Sequence, residues 1–378
     1  YMLLIKTRRD VLLAPLQAVS GIVERRHTLP ILSNVLLEKR GEVLTLLATD
    51  IEIQITTSTA DVGGEGEGAV TVAARKLQEI LRSLPETAEV SLLLEDRRLQ
   101  VRAGRSRFNL QTLPPEDFPS MTLSQQEEAR SLRLTQKQFR QLLAQTHYSM
   151  ATQDVRYYLN GLLLLLAEGE LRAVATDGHR LAYASMPLAA GAAGSGEHAD
   201  VRQELILPRK TVVELNRLLA DTDEPLAIDI LPNQIRFQFG QISLVSKLID
   251  GRFPDYQRVI PLTLKDVIRV QRSVLLQSMV RAAILTNEKF RGVRLVLAEG
   301  SLKIIAANAE QEEAQEEIEV EYGGEPLDVG FNVSYLLDVL NNSSGETIDW
   351  GFNDASSSAL LTIPGNDRFK YVVMPMRI

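Results

Sequence analysis

The residues of this chain best suited to chemistry are few and scattered. Asp177-Gly178-His179-Arg180 sets a carboxylate beside an imidazole, an arrangement that can tune general base chemistry. The same four residues also read as a turn, because Asp-Gly is a common turn pair and a single His is usually satisfied by a hydrogen bond. The other histidines are His27, His147 and His198, so a metal cluster or catalytic triad would have to be assembled from isolated residues. No P-loop, HExxH helix, Gly-x-Ser-x-Gly elbow or EF-hand loop occurs. Asp221-Thr222-Asp223-Glu224 could hold a cation, yet it follows a predicted helix as a solvated turn would. Cysteine is absent, which excludes disulfides, thiolate zinc sites, iron–sulfur clusters and a Cys nucleophile. The motif search leaves no catalytic residue and no metal ligand to name.

Charge carries more information. Lys and Arg number 41 against 49 for Asp and Glu, a formal charge of −8. A uniformly acidic surface would repel nucleic acid, but the two signs are segregated here. Arg97 to Arg107 holds five arginines and no acid, whereas Asn308 to Asp328 holds nine acids and no Lys or Arg. Each run reads either as a solvated face or as one half of a docking pair.

The elements that must position these residues come in three copies. At roughly 150 residues per domain, 378 residues suggest two or three domains. Leu32–Ile55, Leu159–Ala182 and Phe290–Gln315 share one pattern. Each is an apolar strand, a turn with Gly41, Gly169 or Gly300, a second strand, and then Thr49-Asp50, Thr176-Asp177 or Ala307-Asn308. The period of roughly 130 residues is too long for a solenoid and fits three domains of one fold. Amphipathic helices flank each hairpin. Their apolar stripes are Leu12, Leu16, Val19 and Val23; Leu77, Ile80, Leu81 and Leu84; Phe139, Leu142, Leu143 and Thr146; Val212, Leu215 and Leu219; Val274, Leu275, Met279 and Ala282; and Val333, Leu336, Leu337 and Leu340. Pro15 reads as a kink or early-turn residue of the first, and Gly63–Gly68 as a hairpin loop. Ala189–Asp200, rich in Gly and Ala, reads as a surface loop.

Off these stripes lie Arg75, Lys76 and Arg82, Lys137 and Arg140, Arg209, Lys210 and Arg217, and Arg269, Arg272 and Arg281. Arg8, Arg9, Arg25 and Arg26 flank the first helix. Counted with their flanks, five of the six predicted helices are net basic. That is either ordinary solvation or a helical surface facing a polyanion. The longest purely apolar stretch, Leu162–Ala167, is far too short to cross a bilayer, and Lys6, Arg8 and Arg9 follow a brief apolar start unlike a secretory signal. The expectation is a soluble cytoplasmic protein.

Several longer strings then resemble one family. They are His27-Thr-Leu-Pro-Ile-Leu-Ser-Asn34, Asp154-Val-Arg-Tyr-Tyr-Leu-Asn-Gly161, Ala175-Thr-Asp-Gly-His-Arg-Leu181, Ser246–Tyr256, Asn287–Arg294, Phe331–Tyr335 and Tyr371–Ile378. In all three thirds, and in the same order, they resemble the beta sliding clamps, processivity subunits of bacterial DNA polymerase III. The resemblance implies an α+β fold of three repeated clamp domains, 1–126, 127–257 and 258–378, each with two helices on antiparallel sheets. Two subunits would close head to tail as a ring-shaped homodimer around duplex DNA, without sequence preference. It implies no catalysis, cofactor, metal or membrane; partners would be DNA, the polymerase III core, the clamp loader and other clamp-motif proteins. A protein scaffold with a peptide pocket but no DNA encirclement is the alternative.

Residue by residue, the resemblance implies a pocket for partner peptides lined by Leu159, Thr176, Gly178, His179, Arg180, Leu181, Pro254, Arg258, Val259, Asn332, Tyr335, Ser358, Val372, Val373, Met374, Pro375, Met376 and Arg377. Flexible, polarizable Met side chains suit a pocket that accepts several ligands. Arg26, Gln153 and Tyr158 match DNA-touching positions, with Arg75, Lys76, Arg209 and Lys210 as further candidates. At the subunit junction Arg105 and Arg107 would face Glu310, Glu313 and Glu317 of the partner, which sets register more than it adds stability. Phe108 and Leu110 would pack on Ile284 and Leu285, burial contributing about 1.5–3 kcal/mol per side chain.

Overall fold

A computed structural model describes residues 1–25, 28–123, 129–194 and 201–378. Arg26 and His27, residues 124–128 around the first expected domain boundary, and the end of the Ala189–Asp200 loop lie outside the described residues.

Among the described residues there are six α-helices: α1 (Arg9–Ser20), α2 (Ala74–Ser83), α3 (Gln136–Ala144), α4 (Arg209–Leu218), α5 (Arg272–Ala283) and α6 (Val333–Asn342). Each begins at the residue after a strand ends, for example Met2–Arg8 into α1 and Leu327–Asn332 into α6. The repeat is therefore strand-into-helix as well as hairpin. The three hairpins are Asn34–Arg40 with Val43–Thr49, Gly161–Ala167 with Glu170–Thr176, and Gly292–Ala298 with Ser301–Ala307. Their turns need a left-handed residue, supplied by Gly41, Gly169 and Gly300 at φ of 59°, 73° and 73°.

The chain divides into two compact units. One comprises Tyr1–Lys137, Val213–Leu248 and the described part of 190–199. Its twelve-stranded antiparallel sheet runs Met2–Arg8, Glu89–Glu95, Arg98–Ala103, Ser106–Leu113, Gly68–Ala73, Asn34–Arg40, Val43–Thr49, Ile53–Thr59, Ile242–Lys247, Gln234–Phe239, Pro225–Ile230 and Arg130–Thr135. Pairing of Ile55 with Leu244 carries this sheet from the first third into the middle third without a break.

The second unit comprises Gln138–Ala189, Ile249–Ile378 and the described part of 200–212. Its eight-stranded sheet runs Gln203–Pro208, Gly161–Ala167, Glu170–Thr176, Arg180–Pro187, Asn366–Val373, Ala359–Ile363, Thr347–Phe352 and Asp266–Gln271. A four-stranded sheet follows the order Glu313–Glu319, Ser301–Ala307, Gly292–Ala298 and Leu327–Asn332. The core between them holds Trp350, Phe331, Phe369 and Tyr371 with Leu275 and Met279 of α5 and Leu336 and Leu340 of α6.

Most predicted stripes face a core, with differences in detail. Val23 falls beyond α1, which ends at Ser20, and Ile22 is buried in its stead. Val274 is exposed while Leu275 takes the inward position, because the helix phase places only one of two adjacent apolar residues inside. Gly63–Gly68 is not a hairpin loop: Ile53–Thr59 and Gly68–Ala73 are separated in the sheet by two strands, and the segment crosses to pair Gly63 with Lys6. Pro15 lies inside α1, past its first turn. Among the described residues no helix is long and apolar enough to cross a membrane.

Candidate functional site

The fragment with the most chemical promise folds as a turn. The Asp177 carboxylate accepts from the backbone N–H groups of His179 (2.9 Å) and Arg180 (3.1 Å), and Gly178 adopts φ 90°. Thr176 Oγ1 closes the turn by donating to the Arg180 carbonyl at 2.6 Å. These are the bonds of a turn that presents side chains, and the carboxylate is spent on backbone rather than on the imidazole.

The Arg180 guanidinium donates to Asp177 at 3.3 Å and to Asp338 on α6, and lies 4.4 Å from the Tyr335 ring centroid. Burial works against its charge. The Tyr371 hydroxyl and Asp338 more than offset that burial, so its pKa stays above the ordinary arginine value. Burial likewise raises Tyr371, whose hydroxyl donates to the Tyr335 carbonyl at 2.8 Å. His179 stacks on Tyr335 with ring centroids 6.4 Å apart, and Asn332 caps α6 by accepting from Ser334 N–H.

The C-terminal tail reaches the same place. Leu181 pairs with Val372 and Arg180 with Val373; Met374 N–H then donates to the His179 carbonyl at 3.0 Å, and Met376 N–H to the Gly330 carbonyl at 2.8 Å. Met374 is exposed, Pro375 and Met376 half-buried and Arg377 exposed. Leu159, Leu181 and Val372 are buried in one cluster, with Val373 buried beside them in the neighbouring core, so they form a base rather than an open wall. Thr176 is also buried. Pro254 and Arg258 border a cavity of about 580 Å³ together with Tyr158, while Val259 is exposed. Ser358 is half-buried next to Ala359, which pairs with Val373.

Three further contributors lie outside the predicted pocket set. Arg156 sits over Gly178, its guanidinium within 3.2 Å of where a Cβ on that glycine would stand. A fork to Asp154 at 3.1 and 3.0 Å holds it there. Asp338 is the acceptor that α6 brings to Arg180. Gly330 seats the tail: a Cβ there would meet the Met376 carbonyl at 2.5 Å. A glycine inside a strand pattern is the one available sign of such a close approach.

Of the predicted DNA contacts, Arg75 and Lys76 are exposed on α2, opposite its buried Leu77 and Leu81. Among the described residues neither has a carboxylate within ion-pair distance. Gln153 is exposed, Tyr158 half-buried, and Arg209 donates to the Met150 carbonyl at 3.5 Å; Lys210 is half-buried. Several basic residues off the stripes are already engaged: Arg217 with Glu214, Arg269 with Asp349, Arg281 with Glu316, and Arg272 with the α6 carbonyl of Leu340. The polyanion-facing set is smaller than the sequence count implies.

The charge runs lie at sheet edges. Ser106–Leu113 pairs along its length with Arg98–Ala103, but on its other side, among the described residues, only Thr112 and Leu113 pair, leaving the Arg107–Leu110 stretch open. Arg105 and Arg107 are exposed there, with Phe108 and Leu110 half-buried. In the second unit Glu313–Glu319 is the outermost strand of the four-stranded sheet, with Glu313 and Glu317 exposed and Glu310 exposed just before it. Ile284 at the C-cap of α5 is 74% exposed, a large apolar side chain left in water, and Leu285 is half-buried.

Comparison with known proteins follows the same division of the chain. Models of the N-terminal, central and C-terminal domains of the DNA polymerase III beta subunit match residues 3–122, 133–255 and 257–377. The beta sliding clamp of Pseudomonas putida is 47% identical over 371 residues, covering 98% of this chain and 99% of that one. That of Escherichia coli K12 is 47% identical over 370 residues, 98% of each chain. A crystal structure of the Pseudomonas aeruginosa sliding clamp bound to griselimycin superimposes with a TM-score of 0.92 at 45% identity, covering 100% of both chains. With its three repeats, its strand-into-helix units and this end-to-end similarity, the chain belongs to the DNA polymerase III beta subunit family, the beta sliding clamps.

Proposed function

We infer that this protein works as a sliding clamp, encircling duplex DNA and tethering the replicative polymerase and other replication and repair proteins to it. The carrying observation is the end-to-end similarity to beta sliding clamps, at 47% identity over 98% of the chain. The domains proposed are 1–126, 127–257 and 258–378. It acts in the cytoplasm as a processivity subunit with no catalysis of its own; the Asp177–Arg180 turn, which looked most enzyme-like, serves as pocket wall.

The subunit junction follows from the two open edges. An unpaired strand edge is a template for another strand. Arg105 and Arg107 on one protomer complement Glu310, Glu313 and Glu317 on its partner, and Phe108 and Leu110 cover Ile284 and Leu285. Two-fold symmetry uses each contact twice and closes the ring. Enclosure makes the link to DNA topological, so a chain of net charge −8 can hold it. Arg75, Lys76, Gln153, Tyr158, Arg209, Lys210 and Arg26 then touch phosphate without reading sequence.

The pocket offers partners an apolar base, a polar rim from His179, Arg180 and Arg377, and two methionines that repack around different side chains. The test is fluorescence anisotropy with a labelled Gln-Leu-x-Leu-Phe peptide, titrated with the intact chain and with a version ending at Val373. Saturable binding that truncation abolishes is expected. Folded, intact protein that fails to bind, or that is retained equally on linear and circular DNA, would leave a clamp fold without clamp function.

A further inference from the structure

We propose that the motif pocket continues past Pro254 into a cationic subsite that captures an acidic side chain flanking the bound partner motif. The inference rests on the peptide-binding reading and adds to it a preference for one class of partner.

The cavity of about 580 Å³ supports this first by position, since Pro254 and Arg258 belong both to its lining and to the motif pocket. A peptide crossing the pocket can place a neighbouring residue here without leaving the surface. The volume lies within the range of about 300–1,000 Å³ of small-molecule sites and is far too small for a duplex.

Charge supports it second. Three guanidinium groups, Arg202, Arg252 and Arg258, line the cavity against two carboxylates, Glu204 and Asp255. Arg202 is committed to Glu204 at 2.8 Å and Arg258 to Asp255 at 3.2 Å. Arg252 is exposed, and among the described residues no carboxylate lies within ion-pair distance of it. The cavity therefore keeps one cation in excess. Its base is firm: Phe253 and Tyr256 are buried, and Arg172 donates to the Tyr256 hydroxyl at 3.3 Å. A carboxylate entering beside that base meets an exposed guanidinium with no carboxylate at ion-pair distance among the described residues, an attraction on the scale of a surface ion pair. A DNA phosphate is the other anion to weigh, and the continuity with Pro254 and Arg258 favours the peptide.

The experiment compares the bare Gln-Leu-x-Leu-Phe peptide with versions carrying two Glu residues on its N-terminal or its C-terminal side, and with Lys-flanked controls. Each is titrated against the full-length protein and Arg252→Glu at two salt concentrations. One acid-flanked peptide should bind the unaltered protein about three- to fivefold tighter than the bare motif, the scale of a partly exposed ion pair. The advantage should shrink in high salt and vanish in Arg252→Glu, while affinity for the bare motif stays the same. No advantage on either flank, or an advantage that survives Arg252→Glu, overturns the proposal while leaving the pocket reading intact. Loss of DNA retention in Arg252→Glu with acid-flanked peptides unaffected would assign the cation to phosphate and also overturn it. A bare motif that fails to bind at all defeats the pocket reading itself.

Discussion

Arg180 shows how a single side chain joins the pieces of the proposed pocket. Its charge is held by Asp177 from its own turn and by Asp338 from α6, and its flat face lies on Tyr335. Arg–aromatic contacts of this kind add about 0.5–2 kcal/mol, more as water is excluded. Arg156 is placed by a simpler device, the two-pronged bond to Asp154. That bond, chiefly through the Arg156 side chain, lowers the Asp154 pKa from its ordinary 3.8. A depressed carboxylate pKa means that the pairing stabilises the loop fully above the unfolded value, and that this is lost as pH falls through the folded one. The side-chain NMR signals of neighbouring Tyr157 and Tyr158 should thus carry an acid step centred below the ordinary aspartate value of 3.8. Asp154→Asn should remove that acid step; a step centred above pH 4 in the unaltered protein would contradict the assignment.

Among the elements, the tail depends most on its surroundings. Up to Val373 it is a central strand, paired on one side with Arg180–Pro187 and on the other with Ala359–Ile363. Beyond Val373 two backbone bonds, to His179 and Gly330, keep it in place. Gly330 permits the second because nothing projects from its Cα. Gly330→Ala should push Met376 away and cost most of the affinity for the motif peptide, with thermal unfolding close to that of the unaltered protein. Anisotropy paired with a melting curve checks both halves, and full affinity in the variant would mean that the tail segment can shift without consequence.

At the scale of the whole molecule, the exposed Ile284 and the two oppositely charged edges point to assembly. A large apolar side chain 74% exposed at a helix end gains by being covered, and an arginine there would bury a charge against Phe108 or Leu110 of the partner. Ile284→Arg is expected to yield monomers of 42.0 kDa by native mass measurement, with the fold retained. A mass still at twice that value would place the junction elsewhere. On the ring proposed above, the same variant should also lose retention on circular DNA.

What the sequence determined by itself is mostly what is local. The three Gly-turned hairpins follow from strand alternation and a left-handed turn, and each apolar stripe is set by the 3.6-residue period, which is why nearly all of them face a core. The opposite charge of two distant runs was equally plain, as was the family, since the matching strings extend through all three thirds. The tertiary structure decided the rest. Arg180 and Asp338 are 158 positions apart, and no period links them. The continuation of one sheet from Ile55 to Leu244, the crossing of Gly63–Gly68 to Lys6, and the engagement of Arg269, Arg272 and Arg281 by acceptors elsewhere in the chain all depend on which segments pack together. Side-chain type and spacing encode what a residue can do with its neighbours along the chain. Which distant groups it meets is settled only when the cores close, because burial is shared among segments far apart in sequence.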